Sequence, residues 1–225
     1  LINYDGLSVT YARLQELIDE SISKLPPARS LVLLRAKNDL SSLVWYLACL
    51  QSNNPIILID ASLDKNLLKP LLDNYKPNLQ IKGNCVEILN ELNINLHDDL
   101  ALLLSTSGST GSPKLVRLSK SSVHANASSI VEYLNICESD VAITMMPMNY
   151  SYGLSVINSH LYAGAKLVIT ESGLLSREFW QLINQYMVTT LAGVPYMWQM
   201  LKKMRFERFD TRNIRYMTQA GGKLD

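Results

Sequence analysis

The sequence predicts an α/β protein of mostly parallel sheets flanked by helices. Three observations predict it. Short apolar runs without alternation, such as Ser30–Leu34 and Pro55–Ile59, recur along the chain and read as strands buried on both faces. Stretches with apolar residues at helical spacing fall between them. Hydrophobic residues make up 48% of the 225 and charged residues only 18%, enough apolar material for a sizeable core.

The elements follow in order. A polar turn, Asn3–Gly6, precedes a helix over Thr10–Ile22, with Thr10 as N-cap and Leu14, Leu17, Ile18 and Ile22 at helical spacing. The strand Ser30–Leu34 leads to a helix capped by Asp39, with Leu40, Leu43, Val44, Leu47 and Leu50 on one face. After the strand Pro55–Ile59 comes a helix over Asp64–Tyr75 that Pro70 is expected to kink or shorten. Further strands are expected near Leu79–Ile81, Leu100–Leu104, Ala142–Met145, Lys166–Ile169, Thr190–Ala192 and Ile214–Thr218. Further helices are expected near Ser121–Leu134, Gly153–Leu161, Arg177–Tyr186 and Pro195–Met204.

Composition excludes several function classes. Net charge is +1 with no basic run, which argues against a nucleic-acid partner. The cysteines, Cys49, Cys85 and Cys137, are odd in number, far apart and free of any CxxC pattern; a reduced, cytoplasmic protein with buried thiols is the expectation. His97, His124 and His160 are equally dispersed, so no metal held by protein ligands is expected. No apolar run is long enough to span a bilayer.

The stretch Leu104–Lys114, LSTSGSTGSPK, leaves an expected buried strand at the end where α/β folds place ligand loops. Gly108 and Gly111 permit positive φ and a close backbone approach. Consecutive amides there form an anion nest. Thr106, Ser107, Ser109 and Thr110 add hydroxyls, and Lys114 adds a mobile ammonium. A flexible Ser/Gly linker is the bland alternative, but linkers rarely follow a buried strand and close on Pro-Lys. The loop is neither a Walker A motif nor a dinucleotide fingerprint, because its glycines are three apart and Ser112, not Lys, follows Gly111.

Thr106–Lys114, TSGSTGSPK, resembles the phosphate loop of the adenylate-forming (AMP-binding) ligase superfamily, roughly [ST]-[SG]-G-[ST]-T-G-x-P-K. That superfamily includes acyl-CoA synthetases, aryl acid ligases and adenylation domains. Other stretches resemble its motifs in order: LSVTYARLQELI (Leu7–Ile18), ACLQSNNPIILIDASL (Ala48–Leu63), MPMNYSYGL (Met146–Leu154), YAGAKLVI (Tyr162–Ile169), AGVPYMWQML (Ala192–Leu201) and IRYMTQAGGKL (Ile214–Leu224).

The resemblance implies part of the large N-terminal domain of such an enzyme. A first α/β subdomain with the phosphate loop is expected over residues 1–138, and the start of a second over 139–225, with a border near Ser139. It implies ATP-dependent activation of a carboxylic acid to an acyl-adenylate, then acyl transfer to the thiol of CoA or a carrier protein. ATP and Mg2+ are the implied cofactors. Thr106, Ser107, Gly108, Ser109, Thr110, Gly111 and Lys114 would hold and neutralise phosphates, and Thr110 is the one candidate contact for a magnesium ion carried by ATP. Gly221 and Gly222 would start the wall against adenine and the acyl group, with Tyr150 and Gly153 at the substrate pocket.

Departures qualify the match. Leu115 follows Pro-Lys where the superfamily often has Gly, and LVRLS continues as a strand. Tyr150 stands at the usual His of P-x-x-H-x-x-G-L. It reads either as an aromatic plug with a polar tip or as a core tyrosine. The superfamily's later acidic segment, its main catalytic lysine and its C-terminal domain have no counterpart before Asp225, so an N-terminal fragment inactive by itself is the expectation. No Asp or Glu occurs from Val141 to Thr170, which disfavours an amino-acid substrate, whose ammonium would lack a partner. The alternative is a non-catalytic nucleotide-binding or carrier-interacting module of the same descent. His124 reads as a solvated helix residue; Arg117 and Lys120 lie close enough in sequence to Lys114 to add positive potential.

Overall fold

The computed structural model of the chain describes residues 2–105 and 114–223. In chain order the elements are β1 (Ile2–Tyr4), β2 (Leu7–Val9), α1 (Tyr11–Ile22), β3 (Val32–Ala36), α2 (Leu40–Gln51), β4 (Ile56–Asp60) and α3 (Lys65–Tyr75). Next come β5 (Leu79–Lys82), β6 (Cys85–Ile88), β7 (Leu100–Ser105), β8 (Leu115–Ser119), α4 (Lys120–Leu134), β9 (Val141–Ile143) and α5 (Ser151–Tyr162). Then follow β10 (Lys166–Ile169), α6 (Arg177–Gln185), β11 (Thr190–Gly193), α7 (Pro195–Lys203), a 3-10 turn (Phe206–Arg208) and β12 (Tyr216–Gln219). Among the described residues no helix is long and apolar enough to cross a membrane.

Two compact units result, Thr10–Ala125 and Leu1–Val9 with Asn126–Asp225. The division therefore falls at Thr10 and Asn126, not near Ser139. β1 is the reason: it pairs in parallel with β10, so the first strands join the later sheet. They form a hairpin whose turn residues Asp5 and Gly6 both have positive φ, 48° and 75°, the conformation that the Asp-Gly dipeptide favours.

In the unit Thr10–Ala125 the sheet order is β6-β5-β3-β4-β7-β8. The four central strands are parallel; β6 and β8 are antiparallel edges. Unbroken apolar runs make β3 and β4 core strands, where Leu33, Ile57 and Ile59 pack with Leu68 and Leu71 of α3. The helix starts lie where the sequence places them. Thr10 accepts a hydrogen bond from the Arg13 amide, Asp39 from the Ser42 amide and Asp64 from the Asn66 amide. Pro70 does not shorten α3; at the middle of the helix it removes one amide donor from the ladder. Cys49 is buried and its thiol is pushed up to about 12 by burial, whereas Cys85 and Cys137 are exposed, against expectation.

In the other unit the order is β12-β11-β9-β10-β1-β2, parallel except for β2. Its core packs Val141, Ile143, Val168 and Leu191 against Phe179 and Ile183 of α6. A buried ion pair ties the start of β9 to the start of β12. Asp140 is 2% exposed and takes Arg215 on both oxygens, Nη2 at 2.5 Å and Nε at 3.0 Å. Burial raises the Asp140 pKa, but hydrogen bonds from Arg215, the Cys137 amide and the Thr189 hydroxyl outweigh it and hold the carboxyl below its ordinary value. Arg215 also donates to the carbonyls of Leu134 and Asn135 at the end of α4.

Candidate functional site

The phosphate-loop residues Thr106, Ser107, Gly108, Ser109, Thr110 and Gly111 lie outside the described residues. What flanks them is described. β7 and β8 pair with Ser105 opposite Leu115, and the Leu115 amide donates to Tyr75 Oη at 3.0 Å. Lys114 sits exposed at that point, at the carboxyl end of the parallel strand β7. Arg117, Lys120 and His124 are exposed too.

The predicted glycines at the end of β12 meet one of the predicted pocket residues. Gly221 has φ +86°, and a Cβ on it would lie 2.9 Å from Tyr150 Oη and 3.3 Å from Val194. Only a glycine takes that backbone conformation without strain. A Cβ on Gly222 would touch Pro195 at 3.4 Å, and the Gly222 carbonyl accepts from Gln219 Nε2 at 2.5 Å. Tyr150 holds its place as the residue before α5, its amide bonded to the Pro147 carbonyl at 3.1 Å. Gly153, one turn on, is buried where a Cβ would overlap that same Pro147 carbonyl oxygen and crowd Met146 O at 3.1 Å. Its place in the P-x-x-x-x-x-G spacing is thus steric: the helix start is packed directly on backbone.

Behind this corner lies a cavity of about 220 Å³. The second half of α4, one face of α5 and the strands β11 and β12 wall it, with Tyr152, Val156, His160, Ala192, Tyr216 and Thr218 among the lining residues. Tyr150 and Gly153 do not line it. Those that do line it recur at helical spacing along α5, and on β12 they are Tyr216, Thr218 and the last residue, Gln219; the helical repeat carries a signal that stays silent until one knows which faces meet. No Asp, Glu, Lys or Arg contributes to the lining among the described residues.

Hydrogen bonds fix the polar groups of this cavity. Tyr152 Oη donates to Thr218 Oγ1 at 2.7 Å, and burial raises its pKa. His160 is 2% exposed; Nδ1 lies 2.8 Å from the Val156 carbonyl and Nε2 lies 3.2 Å from Thr190 Oγ1. A carbonyl only accepts, so Nδ1 carries the proton, and Nε2 accepts from Thr190 in a neutral ring. Burial lowers the His160 pKa, which keeps the ring neutral. Tyr216 is pushed up to about 12, chiefly by burial. Thr190 biases that phenol the other way as a hydrogen-bonding neighbour, and Tyr216 Oη itself is fully buried.

A sequence profile for the family described as AMP-binding enzyme matches residues 79–225. The chain belongs to the AMP-binding enzyme family. Oxalate–CoA ligase of Arabidopsis thaliana is 32% identical over 110 residues, 48% of this chain and 21% of that protein. Fatty acyl-CoA synthetase A of Dictyostelium discoideum is 33% identical over 146 residues, 58% of this chain and 20% of that protein. The matched segments thus cover about a fifth of these relatives. Among solved structures, the N-terminal subdomain of NpsA from Klebsiella oxytoca with 3-hydroxyanthranilyl-AMSN superposes with TM-score 0.82 at 19% identity, covering 99% of this chain and 62% of that one. ATP-bound MatB from Rhodopseudomonas palustris superposes with TM-score 0.79 at 18% identity, covering 98% and 51%. At those identities the likeness is one of fold. The two parallel sheets flanked by helices are the fold of AMP-binding enzymes.

Proposed function

We propose that this AMP-binding chain serves ATP-dependent activation of a carboxylic acid, followed by acyl transfer to a thiol of CoA or a carrier protein. In the first step a carboxylate oxygen of the acid bonds to the α-phosphorus of ATP. The bond to the bridging oxygen breaks, giving acyl-AMP and pyrophosphate. Two anions must meet, so charge neutralisation and fixed geometry are the protein's main tasks.

The observation that carries this reading is the uncharged cavity walled by the strand that runs into Gly221 and Gly222. A glycine pair with an exposed backbone lets a flat ring approach the chain. We assign Gly221 and Gly222 to the wall shared by adenine and the acyl group. Tyr150, with its hydroxyl at Gly221, is assigned to gate the acyl group, and the residues behind it to hold that group. Thr106, Ser107, Gly108, Ser109, Thr110, Gly111 and Lys114 are assigned to the phosphates by the loop's sequence, with Thr110 as the candidate contact for magnesium carried on ATP. An acid-dependent exchange of labelled pyrophosphate into ATP by the native protein carrying this chain is the expected result. Nucleotide binding without exchange for any acid would instead identify a non-catalytic binding module.

A further inference from the structure

We propose that the acid carries one carboxylate and an uncharged remainder, and that the wall of this cavity rejects acids bearing a second carboxylate or a remote ammonium. This inference rests on the ligase reading above and names its substrate class.

Charge comes first. Among the described residues the lining holds no Asp, Glu, Lys or Arg. The lining imidazole, His160, is held neutral, because burial lowers its pKa and both ring nitrogens are engaged. Arg215 lies over the Tyr216 ring at 4.7 Å, yet it is bound to both oxygens of Asp140 and stands outside the lining. A second carboxylate brought against this wall would leave water with no cation to meet it, and an ammonium would find no anion.

Hydrogen bonds do not substitute for the missing charge. Tyr152 gives its proton to Thr218 Oγ1 at 2.7 Å, Ser155 to the Tyr152 carbonyl at 2.8 Å and Ser159 to the Val156 carbonyl at 3.1 Å. Thr190 gives its own to His160 Nε2 at 3.2 Å, and Tyr216 Oη is fully buried. A carboxylate held by hydrogen bonds alone takes about two or three donors, and these hydroxyls are turned into the chain. The cavity is partly open to solvent, so it sets no limit on the length of the acid. It does set one on the charge of whatever lies against Tyr152, Val156 and Ala192. Specificity is then a difference in desolvation, which acids of matched carbon skeleton isolate from size.

Acid-dependent pyrophosphate exchange by the native protein tests this with matched acids: butanoate against succinate and γ-aminobutanoate, hexanoate against adipate, and benzoate against terephthalate. Where the uncharged member supports exchange, kcat/KM for its charged analogue is expected to be lower by about tenfold or more. A smaller difference, or a charged member preferred, overturns the proposal. Ser155→Lys then places a cation on the wall, at a half-buried helix position whose hydroxyl bonds only its own helix. It should narrow the gaps for succinate, adipate and terephthalate, widen the gap for γ-aminobutanoate and leave KM for ATP unchanged. A merely loosened fold would not move diacid and amino acid in opposite directions. Val156→Lys makes the same test one residue on if Ser155→Lys fails to fold, and unchanged gaps in a folded variant overturn the proposal. Calorimetric titration of the native protein with the same acids separates the two readings. Selective binding of the uncharged members with no exchange for any acid keeps the neutral pocket and removes the ligase. Exchange that favours charged members keeps the ligase and removes the neutral pocket. Binding that ignores charge overturns the proposal whatever the exchange, and neither binding nor exchange with any acid overturns both.

Discussion

The Tyr150 hydroxyl stands against the backbone of Gly221, where a Cβ would approach it to 2.9 Å at φ +86°. Two constraints therefore act on Gly221 at once, a backbone conformation that L side chains avoid and a neighbouring hydroxyl that would have to shift. Gly221→Ala should cost about 1–2 kcal/mol in stability from the backbone alone and lower acid-dependent pyrophosphate exchange by the native protein at least tenfold. Pairing it with Tyr150→Phe removes the clash but not the strain. The double variant should recover part of the exchange and none of the backbone cost. Equal exchange in wild type and Gly221→Ala would show that this corner does not touch substrate.

Gly153 reverses the usual propensity rule. Inside a helix, Gly→Ala ordinarily stabilises by about 1 kcal/mol. Here the new methyl would strike the Pro147 carbonyl, which is backbone and packed. Gly153→Ala should destabilise by about 1–3 kcal/mol, read as a lower urea midpoint at constant m-value. A raised midpoint would show that the Met146–Tyr150 segment yields freely.

These two glycines mark how far the sequence is legible. Continuous apolar runs and caps such as Thr10 and Asp39 announce the core strands and helix starts, because burial and capping are local signals. The strands β1 and β2 are hidden, because three residues on each side of Asp5–Gly6 are too few for a pattern, and their place beside β10 is a long-range pairing. Gly153 and Gly221 stand out through motif spacing, while the steric reason for each lies in atoms distant along the chain. Tyr152, His160 and Tyr216 are not singled out by the sequence as pocket residues. On their own elements they read as core, and only the closure of α5 over β11 and β12 turns them into a lining.

Lys114 tests the phosphate loop from its described edge. A lysine acts on phosphate as a mobile point charge. Lys114→Ala should weaken ATP binding by the native protein about tenfold, the size of one charge-assisted contact of about 1.5 kcal/mol. Because Lys114 is exposed just ahead of β8, the Tm without nucleotide should not move. Unchanged ATP affinity would remove Lys114 from the phosphate site.

Arg215 should matter most for stability. Its loss strands a carboxylate that is 2% exposed, while Arg215 itself is 41% exposed; the low end of the range for breaking a buried pair applies, about 3 kcal/mol for Arg215→Met at pH 7. In the wild type the folded pKa of Asp140 is depressed, so its contribution is complete above the unfolded carboxylate range and is lost as pH falls through the folded value. In the variant the Arg215 bonds are gone and burial weighs more heavily against the charged carboxyl. The gap between the two proteins should be widest near neutrality and narrow below about pH 4. Adding Asp140→Asn should return part of the loss, and a gap independent of pH would mean the charge is not the cause.

His160 gives stability a second, separate pH window. Its folded pKa is lowered, chiefly by burial, so the unfolded chain binds a proton that the folded chain refuses. Stability is then complete above the unfolded value of about 6.5 and declines as pH falls from there toward the folded pKa. Asp140 titrates lower and cannot account for a change between pH 7.5 and 5.5, and the exposed His97 and His124 are common to both proteins compared. His160→Gln forfeits the bonds to Val156 and Thr190 and should be less stable at pH 8 by about 1–3 kcal/mol. Its Tm should nevertheless fall less than that of the wild type between pH 7.5 and 5.5, so the two curves converge on acidification. Parallel curves would place the proton uptake elsewhere and would show that the imidazole wall of the cavity does not resist charging.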